Sequence, residues 1–536
     1  MDHDVIIFWL VGLLCLAGLR VALRQLRGGG AGWVVLLFLI LAIDVTGWLL
    51  GKSVLIYAAA ATWLLFVLLP GLLGKLYFQR FLQQRYSDAR RLAMVISWLH
   101  PADGWREQHE FVRAAELAQR GDFGAASEIL NRYQEARSVV SLVAMPSLYR
   151  ITNEWEKFIV WEAEHSWEIE KLSQLLPSLL RARGETGDRH GLIELYDRRK
   201  NEIARLTPPA VRDLCRLMLF VFSGKRHAVE RLFAGSLAVM PVATQGYWLA
   251  VTDRAAGERE AAKRQFELLS PKADPPMRRA IERHLTRISD AQPPLTPAEA
   301  SVVESAALEF DHDSRFGAQP SLFAKQARAT QFLIFLNVLM FTAEIVAGGS
   351  YNLDALYRLG ALFPPAVRAG ELWRLVASLF LHVGPVHLGM NMVGLWVLGP
   401  FVESVLGFWR YLFVYLASGI GSMLVVMIFG SGPTGEQLTV GASGSVMALL
   451  GATGALMLFG WLRENADPAR RRLILMVAIL AMQVVFDALV PQVSMTGHLS
   501  GAALGLVLTA VLAYRLTHPQ APVAPSQKKQ TVVQQS

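Results

Sequence analysis

Apolar residues gather in two blocks, 5–76 and 332–516, and charged residues recur throughout the segment between them, 77–331. Within the blocks, apolar runs approach the ~20 residues a helix needs to cross a hydrocarbon core. Three runs precede the polar segment, at 5–23, 33–50 and 54–74. Six follow it, at about 332–348, 382–400, 408–429, 442–461, 473–490 and 497–515. Asp44 and Lys52 weaken the second run, so an N-terminal portion of two spans fits as well as one of three. The pattern predicts an all-α, polytopic membrane protein. It has about three N-terminal transmembrane helices, a C-terminal six-helix bundle and a soluble helical domain between them.

The polar segment carries a weaker period of its own. Turn-like positions fall at Gly121, Asn153, Gly187, Gly224 and Gly257, spaced 32, 34, 37 and 33 residues. Five residues after each come Ala126, Phe158, Leu192, Val229 and Ala262; nine after come Leu130, Glu162, Tyr196, Phe233 and Phe266. This spacing resembles a degenerate tetratricopeptide array, an α-solenoid of antiparallel helix pairs that each bury an apolar face on the next. An irregular helical bundle whose apolar spacing mimics a repeat is the other reading. No catalytic cluster stands out in the segment, and a solenoid's concave face suits a cytoplasmic protein partner. QPPLTP (292–297) and the acidic stretch after it read as a connector. The expected division is therefore transmembrane helices (1–76), a helical-repeat domain (77–291), a linker (292–330), a membrane bundle (331–516) and a disordered tail (517–536).

Composition agrees with the membrane assignment: 53% of the 536 residues are hydrophobic. The two cysteines, Cys15 and Cys215, exclude a disulfide framework and a cysteine-based zinc site. The net charge of +8 comes from arginines flanking the spans, which argues against a nucleic-acid partner and for a lipid bilayer. The start, MDHDVIIFWLVGLLCLAGL, is acidic and lacks a small-residue cleavage site, so it is expected to stay as a span, not to be removed as a signal peptide.

Charge also orients the spans. Arg20, Arg24 and Arg27 follow the first run; Lys75, Arg80, Arg85, Arg90 and Arg91 follow the third. WLRENADPARRRL (461–473) is strongly basic, and Arg515, Lys528 and Lys529 follow the last run. GSGPTGEQLT (430–439) and PQVSMTG (491–497) contain no Lys or Arg. The positive-inside rule then puts the polar domain and the C-terminus in the cytoplasm, with Arg358, Arg368 and Arg374 in an outer loop as a mild violation.

That parity makes the second, fourth and sixth spans of the C-terminal set run inward, so their N-terminal ends meet near the outer face. Those ends read HVGPVHLGMN (382–391), GASG (441–444) and GHLSG (497–501). Taken singly, each polar residue has a plain reading: Ser443 as a small helix-packing residue, His498 as an interfacial one, His387 and Asn391 as partners of a neighbouring helix. Together they supply what a hydrolase needs: a nucleophile (Ser443), a base (His498) and oxyanion donors (Asn391 and His387, four apart on one face). Gly441 and Gly444 let the chain bend into a helix beside Ser443, whose free N–H groups then face the developing oxyanion. Gly497, Gly501 and Gly505 recur every four residues and would bring the sixth span against the fourth. No acid stands at another inward start, so a Ser–His dyad is expected and Asp487 is taken as structural.

These residues resemble the rhomboid intramembrane serine proteases over about 325–516. LWRLVASLFLH (372–382) is similar to the family's outer-loop Trp-Arg element, here Trp373 and Arg374. HLGMN (387–391) is similar to its H-x-x-x-N, GASG to its G-x-S-G, and HLSGAALG (498–505) to its histidine followed by packing glycines. Glu403 in GPFVESVLG occupies the family's acidic position between the second and third spans. The resemblance implies six helices around a water-filled cavity and cleavage of a transmembrane protein substrate near the outer face, without a cofactor or metal. It also implies that 349–374 is a membrane-dipping loop and 487–497 a substrate gate. Met447 departs from the pattern, standing where many relatives carry an aromatic ring against the histidine. The expected setting is the inner membrane of a bacterium. A catalytically silent relative that binds membrane proteins is the competing reading. A transporter would show charges deep in several spans and an internal duplication, and the sequence has neither.

Overall fold

Long apolar runs leave a buried backbone one economical solution, the helix, which satisfies its N–H and C=O groups internally. The computed structural model describes residues 3–25, 31–133, 139–288, 293–317, 327–429, 437–489 and 494–517. Among them extended pairing is confined to a single bridge between Leu362 and Thr439. Among the described residues, eight helices are long and apolar enough to cross a membrane, and Ile7–Leu23 forms a shorter apolar helix. The protein is a multi-pass membrane protein, and its chain divides into two units, 1–307 and 308–536. Residues 518–536 of the tail expected to be disordered, and most of the two loops without Lys or Arg, lie outside the described residues.

In the first unit, α1 (His3–Gln25), α2 (Ala31–Leu49) and α3 (Ser53–Trp63) pack around Val11, Cys15, Leu19, Leu37, Ile40 and Ala59. α3 passes through a π-helical turn, Leu64–Leu68, into α4 (Leu69–Leu82), so the third span continues well past its expected end. Trp9, Leu10, Leu13, Val35 and Phe38 stay exposed on the outside, as a lipid-facing surface requires. Asp44, which weakened the second span in the sequence, turns inward and is fully buried.

Helices α5 (Tyr86–Leu99) to α9 then follow: α6 (Trp105–Gln119), α7 (Phe123–Asn131), α8 (Val139–Thr152) and α9 (Trp155–Glu164). After the short α10 (Ser166–Ile169) come α11 (Leu176–Thr186), α12 (Arg189–Ile203), α13 (Pro209–Phe222) and α14 (Arg226–Ala234). α15 (Val242–Ala255), α16 (Arg259–Leu269) and α17 (Pro275–Thr286) complete the segment. The five turn positions read from the spacing all adopt positive φ, from 62° at Asn153 to 92° at Gly121. Each ends one helix and lets the next fold back, a conformation that glycine adopts at little cost. Ala126, Phe158, Leu192, Val229 and Ala262 are fully buried beneath these turns. Glu162, the polar exception at the later position, receives two hydrogen bonds from Arg183 at 2.8 and 2.9 Å. α11 packs on α13, and α13 on α15.

The segment read as a linker contains a helix, α18 (Pro297–His312). Its start is a reciprocal cap that the composition of QPPLTP conceals. Thr296 Oγ1 accepts from the Glu299 N–H at 3.3 Å, Glu299 Oε2 accepts from the Thr296 N–H at 2.8 Å, and Pro297 occupies the first turn.

The second unit contains α19 (Arg328–Val346) and three short helices, α20 (Leu353–Leu359), α21 (Pro364–Arg368) and α22 (Arg374–Ala377). Five long helices follow: α23 (Gly384–Leu406), α24 (Phe408–Phe429), α25 (Ser443–Glu464), α26 (Asp467–Leu489) and α27 (Met495–Thr517). Of its span, 72% is buried for α25 against 11% for α26, so α25 is the axis of the bundle and α26 lies at its edge. The glycine ridge explains the tightest contact. A Cβ on Gly501 would overlap the Gly444 carbonyl, and one on Gly505 would overlap that of Ala448. The α25 and α27 backbones therefore touch, which larger residues would forbid.

Two of the motif residues hold this frame. Both Glu403 oxygens accept backbone N–H bonds, from Ala329 and Thr330 at 2.8 Å, and Thr330 Oγ1 adds a third at 2.8 Å. A carboxylate thus caps the start of α19, where the free donors and the helix dipole favour negative charge. Arg374 is buried and donates to the carbonyls of Tyr357 at 2.6 Å and Ala361 at 3.1 Å, and to Glu371 at 2.7 Å. Its guanidinium also lies over the Tyr357 and Trp373 rings, 4.1 and 4.9 Å from their centroids. Together these contacts fasten the loop of short helices.

Candidate active site at the head of α25

The serine sits where the chain turns into the central helix. Gly441 has φ of +135° and donates its N–H to Ser378 O at 2.9 Å, which bends the approach to α25. Ser443 is the first helical residue and is half-buried. The N–H groups of this first turn have no intrahelical carbonyl to bond, so an anion placed beside Ser443 would meet free donors and the positive end of the dipole.

Three other elements converge on this point. A Cβ on Gly441 would lie 2.9 Å from His387 Cε1 and 3.0 Å from Nε2, with Ser443 Oγ at 3.7 Å, so the imidazole of α23 and the hydroxyl of α25 flank one glycine. A Cβ on Gly444 would overlap Ser422 Oγ of α24, which itself donates to Gly497 O at 2.8 Å. Gly444 follows Ser443 and Gly497 precedes His498, so the heads of α25 and α27 meet at the two residues singled out from sequence.

The donors differ in readiness. Asn391 is buried, but its Nδ2 donates to His387 O at 3.1 Å, back into its own helix. The His387 ring meets His382 edge to face, with centroids 5.1 Å apart. Among the described residues, no hydrogen bond joins Ser443 to His498. Met447 is buried with Leu450, Met476 and Ala502, one turn beyond His498, and no aromatic ring stacks on His498 among the described residues.

One more side chain reaches His498, that of Asp487. Set aside as structural in the sequence, it comes from α26 to within 2.8 Å of His498 Nδ1 through Oδ2. Its Oδ1 accepts from Gln483 Nε2 at 2.7 Å, and that amide also lies 3.3 Å from His498 Nδ1. No described hydrogen bond uses His498 Nε2. Gln483, Ser422 and Glu344 were likewise not singled out; Glu344 in α19 accepts from the His382 N–H at 2.8 Å and ties down the entry to α23. A weak signal existed for the acids, since an ionisable residue inside a span is costly and marks a functional candidate. Among the described residues, no group of three His, Cys, Asp or Glu side chains could hold a metal ion.

Part of the chain is similar to known proteins. Residues 369–515 match the Rhomboid domain family. Rhomboid protease GluP of Bacillus subtilis is 32% identical over 183 residues, 34% of this chain and 34% of its own length. RHOMBOID-like protein 5 of Arabidopsis thaliana is 37% identical over 165 residues, 31% of this chain and 52% of its own. Rhomboid-type serine protease 2 of Emericella nidulans is 33% identical over 142 residues, 26% of this chain and 27% of its own. The chain thus spans from about a quarter to half the length of these relatives. The match to the rhomboid domain lies wholly within the second unit, and two of these relatives bear the name of a rhomboid protease.

Proposed function

We propose that the chain is an intramembrane serine endopeptidase that cleaves transmembrane protein substrates near the outer face of the membrane. The observation that carries this reading is the meeting of Ser443, at a free helix start, with the head of α27 that bears His498. Ser443 Oγ attacks the scissile carbonyl carbon while His498 Nε2 takes its proton. The tetrahedral oxyanion accepts hydrogen bonds from the Ser443 backbone N–H, Asn391 Nδ2 and His387. As the intermediate collapses, the C–N bond breaks and His498 returns the proton to the leaving amine. Water, deprotonated by the same nitrogen, then releases the acyl group as a carboxylate and restores Ser443. Gly441, Gly444, Gly501 and Gly505 bring the helices together, and Trp373, Arg374 and Glu403 hold the frame.

The helical segment of the first unit serves, in this reading, as a tetratricopeptide-like cytoplasmic domain that recruits a protein partner or a substrate tail. Its support is the row of left-handed turns and the buried residues beneath them. The setting is the inner membrane of a bacterium, with this domain and the C-terminus in the cytoplasm.

A second reading draws on two observations: Ser443 and His498 share no hydrogen bond, and Asn391 is engaged by its own helix. Both suit a silent relative that binds membrane proteins without cutting them. Catalytic contacts commonly lengthen in the absence of substrate, so protease action remains the stronger reading. The deciding experiment is cleavage of a labelled single-span substrate by purified protein, wild type against Ser443→Ala and His498→Ala. Product from wild type alone supports the protease; equal product from all three would sink it.

A further inference from the structure

We infer that Asp487 is a positioning residue for His498, so that this chain orders its base through a carboxylate on α26. The inference rests on the protease reading above and extends it to a third side chain.

A neutral imidazole carries one proton, and only the nitrogen without it can act as a base. For His498 the required base is Nε2, so the proton must stay on Nδ1. An ionised carboxylate can only accept, so Asp487 Oδ2, 2.8 Å from Nδ1, selects that tautomer. When Nε2 takes the proton from Ser443, the ring becomes a cation, and the same carboxylate offsets its charge. No proton moves to Asp487 at any step. The serine proton goes to Nε2 and from there to the leaving amine.

Three further observations favour positioning over simple helix packing. Asp487 has no exposed side-chain surface although α26 is the least buried long helix of its unit, so the carboxylate points inward from a lipid-facing element. Both its oxygens are engaged, Oδ1 by Gln483 and Oδ2 by His498, so Gln483 fixes the angle at which the carboxylate meets the ring. The ring face lacks an aromatic neighbour among the described contacts, and Met447 packs with Ala502 instead. The restraint on His498 therefore comes from its edge. A packing role alone would need no charge, because apolar pairs of similar size serve buried contacts as well or better.

The test uses the full chain in lipid nanodiscs. Wild type is compared with Asp487→Leu, which keeps α26 apolar, with Asp487→Glu, which keeps the charge, and with Ser443→Ala. Cleavage of a single-span substrate gives kcat and KM. Nitrogen NMR of histidine-labelled protein, with His498→Gln to assign the signal, gives the tautomer. For Asp487→Leu the expected result is a fall in kcat on the order of 10²-fold, the scale of one acid–base contribution, with KM within about twofold. Its His498 signal shifts away from the Nδ1–H form, and Asp487→Glu recovers part of both. An unchanged tautomer, or an altered tautomer with unchanged kcat, overturns the proposal. Wild type that cleaves no better than Ser443→Ala would defeat the protease reading. The tautomer comparison would still decide whether Asp487 orders His498, because it needs no turnover.

Discussion

Two aspartates lie buried in two membrane portions of the same chain, and their surroundings have little in common. Asp44, inside the α1–α3 bundle, has no hydrogen-bond partner for either oxygen among the described residues. A Cβ on Gly12 would lie 3.7 Å from its Oδ2. Asp487, at the edge of the rhomboid domain, has both oxygens engaged, one by a histidine that stands beside a serine-bearing helix start. Burial of a carboxylate within a span is costly in both cases. What differs is whether other polar groups converge on it. Convergence separates a group that can act on another from one that is merely enclosed, and burial alone does not.

The comparison breaks first at the serine. Ser443→Ala or His498→Ala should lower substrate cleavage by on the order of 10⁴-fold or more, since members of one catalytic unit fail together. Their double variant should be no worse than either single. Additive losses in a peptide-cleavage assay would mean that the two side chains act independently and that the converging site is misread.

Glu403 offers the next test, as a carboxylate whose partners are all on the opposite helix. Glu403→Leu leaves the N–H groups of Ala329 and Thr330 buried without acceptors, at a cost of about 1–3 kcal/mol for each. Glu403→Gln keeps one acceptor and should lose less. Thermal unfolding in detergent, followed by helix signal, would rank the three proteins. A Leu variant as stable as wild type would mean that this cap contributes nothing.

Asn391→Ala should act on rate and not on stability. A single oxyanion donor is worth about 3 kcal/mol of barrier, so kcat should fall roughly 10²-fold with KM nearly unchanged. The present bond to His387 O must break for Asn391 to serve, so its loss is not expected to loosen the fold. A KM effect of the same size would assign Asn391 to substrate binding.

How much of this was legible beforehand follows from the range of the interactions. The spans, the five left-handed turns and the glycine ridge are local: apolar length, helix-ending glycines and an i, i+4 repeat act within one element, so a sequence displays them. Ser443, His387, Asn391 and His498 were traceable because span parity brings their helix starts to one end. Asp487 was not, because its pairing depends on how α26 is rotated about its own axis, and no local pattern encodes that rotation. The start of α18 was hidden for a related reason. QPPLTP has the composition of a loop, while the cap is made by one hydroxyl and one carboxylate three residues apart.

Asp44 supplies the smallest effect and the sharpest contrast. If enclosure without partners leaves it idle, replacing it should help the fold and leave the chemistry alone. Asp44→Leu removes a buried polar group whose unmet hydrogen bonds cost about 1–3 kcal/mol, and the added apolar volume must fit beside Gly12. Unfolding of the full-length protein should therefore shift to higher temperature by a few degrees or stay level, with cleavage rates unchanged. A loss of cleavage would show that the N-terminal bundle contributes an ionisable group to the reaction cycle. In that case the distinction between the two aspartates would lie in which partner each one meets during turnover, beyond the contacts present at rest.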